Sequence, residues 1–364
     1  MEDKSCDRKK ELIEKAIKDP LHFTWEDLEC LCKEIEFEEI RGMIKRIYNL
    51  NEELLKETSD ASLGFMGIAN KKANKKRNKI YKRRVKKGLK DNSKVIVAEG
   101  DSWFQFPFFI TDIIDWLNKN NKHYVIKCLA YGGDWITNII YEGKYIGELS
   151  VHKPSAFLVS GGGNDLVGGY RLAIMVNKKG DCIHKRNEDD IINEEDKKDI
   201  LKAQGYITTE FYAFINTLKL MYHKMFTQLE SADEFNEMKI ITQGYDYPIP
   251  RWNSASIFSP LKSFVNWLVG TGKWLKHPLE MIKIPEVLQR PIVKTLLFEF
   301  NEMFVELAEK HVNVYHIDSR GIAREEEDWY DELHLQSHKF MQIAKVYQEV
   351  IDNEKPDKVT KVSN

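Results

Sequence analysis

The chain has 364 residues, of which 42% are hydrophobic and 31% charged. These are ordinary values for a globular protein able to bury a real core, and at about 150 residues per domain they fit two domains or one large domain with a smaller attachment. The formal net charge of −2 gives no global sign of a nucleic-acid or membrane partner. Residues 71–90, however, hold 12 Lys/Arg and no acid, which leaves the rest of the chain at −14.

In chain order, the N-terminus MEDKSCDRKKELIEK is charged from its second residue and has no apolar signal segment. No stretch approaches 18 uninterrupted apolar residues. Residues 8–58 read as helical. Thr24-Trp25-Glu26-Asp27 has the form of an N-cap with an acid three positions on, followed by Leu28, Leu31, Ile35, Ile40, Met43, Ile44 and Ile47 at helical spacing. Such a module docks its apolar faces on the main domain or on another chain. Residues 59–70 read as a linker, and the run KKANKKRNKIYKRRVKKGLK follows. That run is either a contact for a polyanion (nucleic acid or anionic lipid) or a solvated helix balancing an acidic body.

From residue 94 short apolar runs alternate with helical stretches: Val95–Ala98, Tyr124–Leu129, Ala156–Val159, Lys239–Thr242 and Val312–Ile317. Runs of this length, rich in β-branched and aromatic side chains, suit parallel strands buried on both faces. The expected fold is a three-layer α/β/α sandwich with five parallel strands, whose ligands bind at the carboxyl ends. Five cysteines (Cys6, Cys30, Cys32, Cys128, Cys182) form no CxxC pair, which argues against a disulfide framework or zinc ribbon and for a reducing compartment. The expected location is cytoplasmic.

The loops after the strands carry the chemistry. Each alone is also tight-turn chemistry, yet together they supply every part of serine acyl transfer. Ser102, in Glu99-Gly100-Asp101-Ser102-Trp103, is a hydroxyl at a strand-to-helix turn and needs a base within hydrogen-bond reach. His334 supplies an imidazole, the side chain that changes charge near neutral pH, and Asp331 is placed to fix its tautomer. The backbone N–H groups of Ser102 and of the Gly132-Gly133 turn, with the Asn164 carboxamide, are candidate oxyanion donors. Glycines at 132, 133, 162 and 163 let backbone approach a substrate. Trp103 and the loop bearing Tyr245, Asp246 and Tyr247 lie where substrate is expected, although that loop also reads as a rigid Pro-locked turn.

Gly100-Asp101-Ser102, Gly162-Gly163-Asn164-Asp165 and Asp331-Glu332-Leu333-His334 resemble three signature blocks of the SGNH hydrolases, the GDSL-type esterase/lipase superfamily. They occur in the right order across residues 94–352. The second block is less sharp: Gly132 or Gly133 fits, and Gly133 is preferred because Asp134 follows it. The first block reads GDSW rather than GDSL. The resemblance implies a flavodoxin-like fold, no metal or cofactor, and hydrolysis of esters, thioesters or carbohydrate acetyl groups. It leaves residues 1–90 outside, along with two insertions: a charged one at 166–210 and an apolar, aromatic one at 250–295. The latter (Trp252, Phe258, Phe264, Trp267, Leu268, Trp274, Leu275) reads equally as a lid with an acyl pocket or as extra core or an oligomer interface.

Other signals carry less. His334 and His338 have the i, i+4 spacing of metal ligands, but a metal site would leave Ser102 and Asn164 without a role, and His338 reads as a helix-surface residue. The Gly161–Gly163 triplet lacks the Lys-Ser/Thr of a P-loop. His152, His184, His311 and His316 read as structural, and Cys128 as a core thiol. The expected organisation is a helical module and linker (1–70), a basic segment (71–90), a hydrolase domain (91–352) and a polar tail (353–364). The expected function is a serine esterase or lipase acting on a small-molecule or lipid ester. The alternative is a binding or adaptor protein acting through its N-terminal helical and basic region, with residues 1–58 meeting a partner or a second copy.

Overall fold

Six stretches of chain pair into one sheet: β1 (Lys94–Gly100), β2 (Tyr124–Cys128), β3 (Ala156–Ser160), β4 (Lys239–Gln243), β5 (Val314–Asp318) and β6 (Val359–Lys361). Every pairing is parallel and the spatial order is β2-β1-β3-β4-β5-β6. The computed structural model describes residues 2–49, 65–88, 92–106, 110–182, 186–191, 194–252 and 274–363. Central strands are buried on both faces, β3 along its whole length, because their side chains are apolar on both sides and helices cover them. Ile113–Asn120 packs against Ser337–Asp352, and Thr209–Glu230 against Glu286–Lys310. The result is a three-layer α/β/α sandwich. Strand order reverses between β1 and β3, the switch point where doubly wound sheets open a crevice at their carboxyl ends.

The expectation of five strands is corrected to six, and the polar tail is not simply a tail. Val359–Lys361 joins the edge beside β5, and Val362 N–H continues the ladder to the Asp318 carbonyl at 2.9 Å. A three-residue strand with a single following buried apolar residue, Val362, is too short for its alternation to stand out from a charged terminus.

Helices Glu2–Lys18, Trp25–Glu34 and Phe37–Tyr48 form the N-terminal module. Thr24 and Asp27 complete a reciprocal capping box. The apolar faces dock within this chain, on Thr209–Glu230. That helix is buried nearly all round, as expected of a helix with the sheet on one side and other helices on the other. The Tyr48 hydroxyl reaches further and donates to the Asp165 carbonyl at 2.9 Å.

The end of the expected linker and the basic run form one helix, Phe65–Lys86, while residues 50–64 lie outside the described residues. The helix packs along β2. Asn70, Arg77 and Arg84 recur every seven residues and face inward, so this helix is neither fully solvated nor separable from the domain. Arg77 is almost fully buried. Its guanidinium donates to both Asp112 carboxylate oxygens at 2.6 and 2.5 Å, to Asp115 at 3.1 Å and to the Phe104 carbonyl at 2.6 Å. Asp112 also accepts from Phe106 N–H and caps Ile113–Asn120 through Asp115 N–H, each at 3.0 Å. The contact of one guanidinium nitrogen with both carboxylate oxygens, together with the extra donors, satisfies charges that would otherwise be costly to bury. Replacing Arg77 by Met leaves Asp112 buried without its cation. The expected loss is about 3–5 kcal/mol of stability, read from urea unfolding; an unchanged midpoint would show that the ion pair does not hold this helix.

Candidate active site

Ser102 lies in the turn immediately after β1. The Asp101 carboxylate accepts from Trp103 N–H at 3.0 Å, and Phe104 and Gln105 N–H close back on the Asp101 carbonyl at 3.2 and 3.0 Å. This local cycle is an Asx-type turn followed by one helical turn, and it fixes the serine at the strand's end. His334 comes from a loop pinned by Tyr330 N–H to its own carbonyl at 2.7 Å and by the Trp103 indole to the Leu333 carbonyl at 3.2 Å. The Phe106 ring lies against the imidazole with centroids 4.2 Å apart. His334 Nε2 is 2.7 Å from Ser102 Oγ, and Nδ1 is 2.9 Å from both Asp331 carboxylate oxygens. Asp331 further accepts from the N–H groups of Leu333 and His334 at 2.8 Å. All three residues are buried.

The other candidate donors sit around the same end of the sheet. Tyr131 N–H bonds the Gly100 carbonyl at 2.9 Å, extending the β1–β2 ladder and carrying the Gly132-Gly133 turn toward the serine. Gly133 has φ +89°, a conformation that favours glycine. Among the described residues, neither Ser102 N–H nor Gly133 N–H has a hydrogen-bond partner, whereas those of Trp103, Gly132 and Asp134 do. The Asn164 carboxamide donates one N–H to the Asp134 carbonyl at 2.8 Å, and an amide nitrogen has a second to give.

Sequence reasoning missed what holds this turn. Asn70 is fully buried; its Oδ1 accepts from Gly132 N–H at 3.0 Å and from the Gln105 amide at 3.2 Å, while its Nδ2 donates to the Gly132 carbonyl at 2.9 Å. An asparagine inside a lysine-rich run gives no local signal of this role. Glu332 was missed too. Its buried carboxylate accepts from the N–H groups of Arg251 (3.3 Å), Trp274 (2.8 Å) and Lys276 (2.5 Å). It thus ties both flanks of 253–273, a segment outside the described residues that includes Phe258, Phe264, Trp267 and Leu268 of the expected lid.

A small cavity of about 50 Å³ opens on Ser102 and Asn164, walled by Trp103, Tyr245, Pro248, Leu275, Leu296 and other apolar residues. Leu275 and Leu296 come from the 250–295 insertion or the helix that leaves it, so part of that insertion forms cavity wall. Gly133 and Tyr247 do not line it. The polar atoms of Asp246 and Tyr247, two residues expected at the substrate, have partners within the protein. The Asp246 carboxylate is consumed by the N–H groups of Tyr247, Gly321 and Ala323 at 2.5–2.7 Å, and the Tyr247 hydroxyl donates to Asp196 at 3.1 Å. Asp246 nevertheless lines the cavity while its carboxylate holds the turn at Gly321–Ala323, and Tyr247 is tied to the helix Glu194–Ala203. The reading of the glycine triplet changes as well: a Cβ at Gly163 would sit 2.8 Å from the Tyr245 ring, so that glycine makes room for the tyrosine. His338 is largely exposed, with Nε2 3.4 Å from Asp328.

No family model matches this sequence, and no curated protein matches it. The chain is similar to several solved structures. One is a family 3 carbohydrate esterase of Clostridium thermocellum (12% identity, 71% of this chain and 94% of that one, TM-score 0.36). Another is a catalytic mutant of the acetylxylan esterase Axe2 of Geobacillus stearothermophilus (10% identity, 75% and 99%, TM-score 0.40). A third is phospholipase A1 of Streptomyces albidoflavus (11% identity, 70% and 99%, TM-score 0.35). Among the described residues no helix is long and apolar enough to cross a membrane.

The carboxylates around the site differ sharply. Burial tends to raise Asp331, but the His334 imidazole and its hydrogen bonds outweigh that and hold Asp331 below the ordinary range. Burial pushes Asp101 up to about 6 despite the Tyr245 hydroxyl at 2.5 Å. Burial, with Asp134 nearby, pushes Glu99 up to about 8. A raised carboxyl keeps in the folded state a proton that the unfolded chain releases, so its contribution to stability falls as pH rises from the unfolded value to the folded one. Glu99→Gln removes that linkage. Its thermal-midpoint advantage over the wild type should widen from pH 5 to pH 8 and then level off; an advantage independent of pH would contradict the raised carboxyl.

Proposed function

We propose that the protein is a serine hydrolase of the esterase type, working through an acyl-enzyme on Ser102. The observation that carries this reading is the Ser102 Oγ to His334 Nε2 distance of 2.7 Å with Nδ1 held by Asp331, the arrangement that activates a neutral serine. The signature blocks that resemble the SGNH hydrolases point the same way. Ser102 Oγ attacks the acyl carbonyl carbon as its proton passes to His334 Nε2, and Asp331 stabilises the resulting imidazolium. The carbonyl oxygen becomes an oxyanion facing Ser102 N–H, Gly133 N–H and the second Asn164 N–H. Collapse expels the alcohol, which takes the proton back from His334. Water then repeats the sequence, with His334 again as base, releasing the acid and free serine.

The cavity at the serine is small, about 50 Å³, and its wall is mainly apolar. Such a pocket takes an acyl group of a few carbons. Trp103 and Tyr245 flank the acyl group. Asn70 acts as a positioning residue, because it fixes the Gly132 peptide and with it the direction of the next N–H.

Ser102→Ala should remove hydrolysis of p-nitrophenyl acetate and labelling by a fluorophosphonate while leaving the thermal midpoint unchanged; retained turnover would end the proposal. Asn164→Ala should lower kcat about 10²–10³-fold. Asn70→Ala should lower kcat about 10-fold or more with little change in KM, whereas a merely structural asparagine would lower the folded fraction and leave kcat per folded molecule intact. In an acyl-chain series, acetyl to butyryl esters should be turned over faster than decanoyl; the reverse order would refute the small pocket as the acyl site.

A further inference from the structure

The cations of the basic helix are not spread evenly over solvent. Lys76, Arg83 and Lys87 fall at spacings of seven and four residues, hence on one helical face. Opposite them, Lys119 and Lys122 project from Ile113–Asn120 and the turn after it, with His123 beside them. Together they line a groove of about 760 Å³ whose floor includes Ile80 and Val125. Among the described residues Asp115 is the one carboxylate in its wall, and it is already held by Arg77. Arg84, also in the wall, is spent on Asn118 and the Tyr124 carbonyl. Among the described residues, Lys76, Arg83 and Lys87 have no ion-pair partner at all, although the rest of the chain carries excess acid. Lys119 lies over the Trp116 ring and Lys122 donates to the Asn118 and Lys119 carbonyls, neutral partners that leave their charge in place, so five like charges beside one another make a local positive potential that favours a polyanion.

The groove's place in the fold separates it from the proposed hydrolytic site. It reaches Ser93 and His123, at the amino ends of β1 and β2, whereas Ser102 and Asn164 follow the carboxyl ends of β1 and β3. An ester in the cavity and a ligand in the groove do not compete. The groove is concave, and along the helix Lys76 to Lys87 covers eleven residues, or roughly 16 Å. A flat bilayer cannot bring its headgroups to the bottom of such a channel, while an extended strand carrying a charge at every nucleotide can. We infer that this groove binds the phosphodiester backbone of a nucleic acid, without reading its sequence, since the described residues of its wall offer cations for the backbone and no Trp, Tyr or Phe for base stacking.

The test measures anisotropy of a fluorescein-labelled single-stranded DNA and RNA of about 20 nucleotides with the full chain, across about 50–200 mM salt. Binding should weaken with a log–log slope near −3.5 if five cations each displace a counterion. The triple variant Lys76→Gln, Arg83→Gln, Lys87→Gln should lose about two units of that slope and at least tenfold in affinity at about 100 mM salt. The variant Lys71→Gln, Lys75→Gln, Lys82→Gln removes equal charge from a different helix face and should lose much less. Thermal midpoints of both variants check folding. The inference fails if the oligonucleotides do not bind, if the two triple variants weaken binding equally, or if the chain sediments with phosphatidylserine vesicles in preference to binding the oligonucleotides.

Discussion

A single hydrogen bond of 2.7 Å joins side chains 232 residues apart in sequence, Ser102 and His334, and the rest of the architecture serves to hold it. Neither end is free to drift. The serine is fixed by a turn that closes on Asp101, and the imidazole by a loop whose own backbone and the Trp103 indole fasten it to the serine's neighbour. The parallel sheet makes the meeting reproducible. Register between β1 and β3 sets Gly100 beside Ser160, so the loops after both strands emerge at one level and Asn164 comes to the same crevice.

The N-terminal third is built into this arrangement. Arg77 ties the basic helix to Asp112, Asp115 and the Phe104 carbonyl, only two residues beyond the serine. Seven residues earlier, Asn70 takes both hydrogen-bonding groups of the Gly132 peptide. A helix outside the segment that resembles a hydrolase therefore braces two loops of the site. The same helix turns its unpaired lysines outward, so one element has an inner face of neutralised charge and an outer face of free charge. Net composition averages the two faces and conceals both.

The sequence was most informative where a pattern repeated or a residue type was unusual. Apolar runs bounded by Gly and Asp located five strands, and the turns after them held Ser102, Asn164, Asp331 and His334. It was least informative where long-range partners decide the role. Arg77 looks like any of its eleven basic neighbours, yet among the described residues it alone of them is nearly fully buried, against two carboxylates. Asp246 and Tyr247 stand out because they follow a strand, but nothing local shows that the Asp246 carboxylate also accepts from Gly321 and Ala323 or that the Tyr247 hydroxyl donates to Asp196. Propensity and periodicity describe local chain, and these assignments depend on tertiary hydrogen bonds.

The buried carboxyls at the carboxyl ends of the strands explain how one of them can act alone. Glu99, Asp101, Asp134, Asp165 and Asp246 are all pushed upward, with burial the largest cause in each. Glu99 and Asp134 gain little from their hydrogen bonds; Asp165 and Asp246 receive backbone N–H groups that only partly offset desolvation. Two carboxyls are held downward instead: Asp318, at the end of β5, because the Arg320 guanidinium binds both of its oxygens, and Asp331, because an imidazole faces both of its oxygens. Asp318 is matched by its own arginine, so Asp331 is the lowered carboxyl that contacts His334 Nδ1, while burial pushes Glu99, Asp101, Asp134, Asp165 and Asp246 toward the protonated form. A crevice crowded with acids can in this way present one oriented carboxylate to the imidazole and keep a low-charge, mainly apolar wall around the serine.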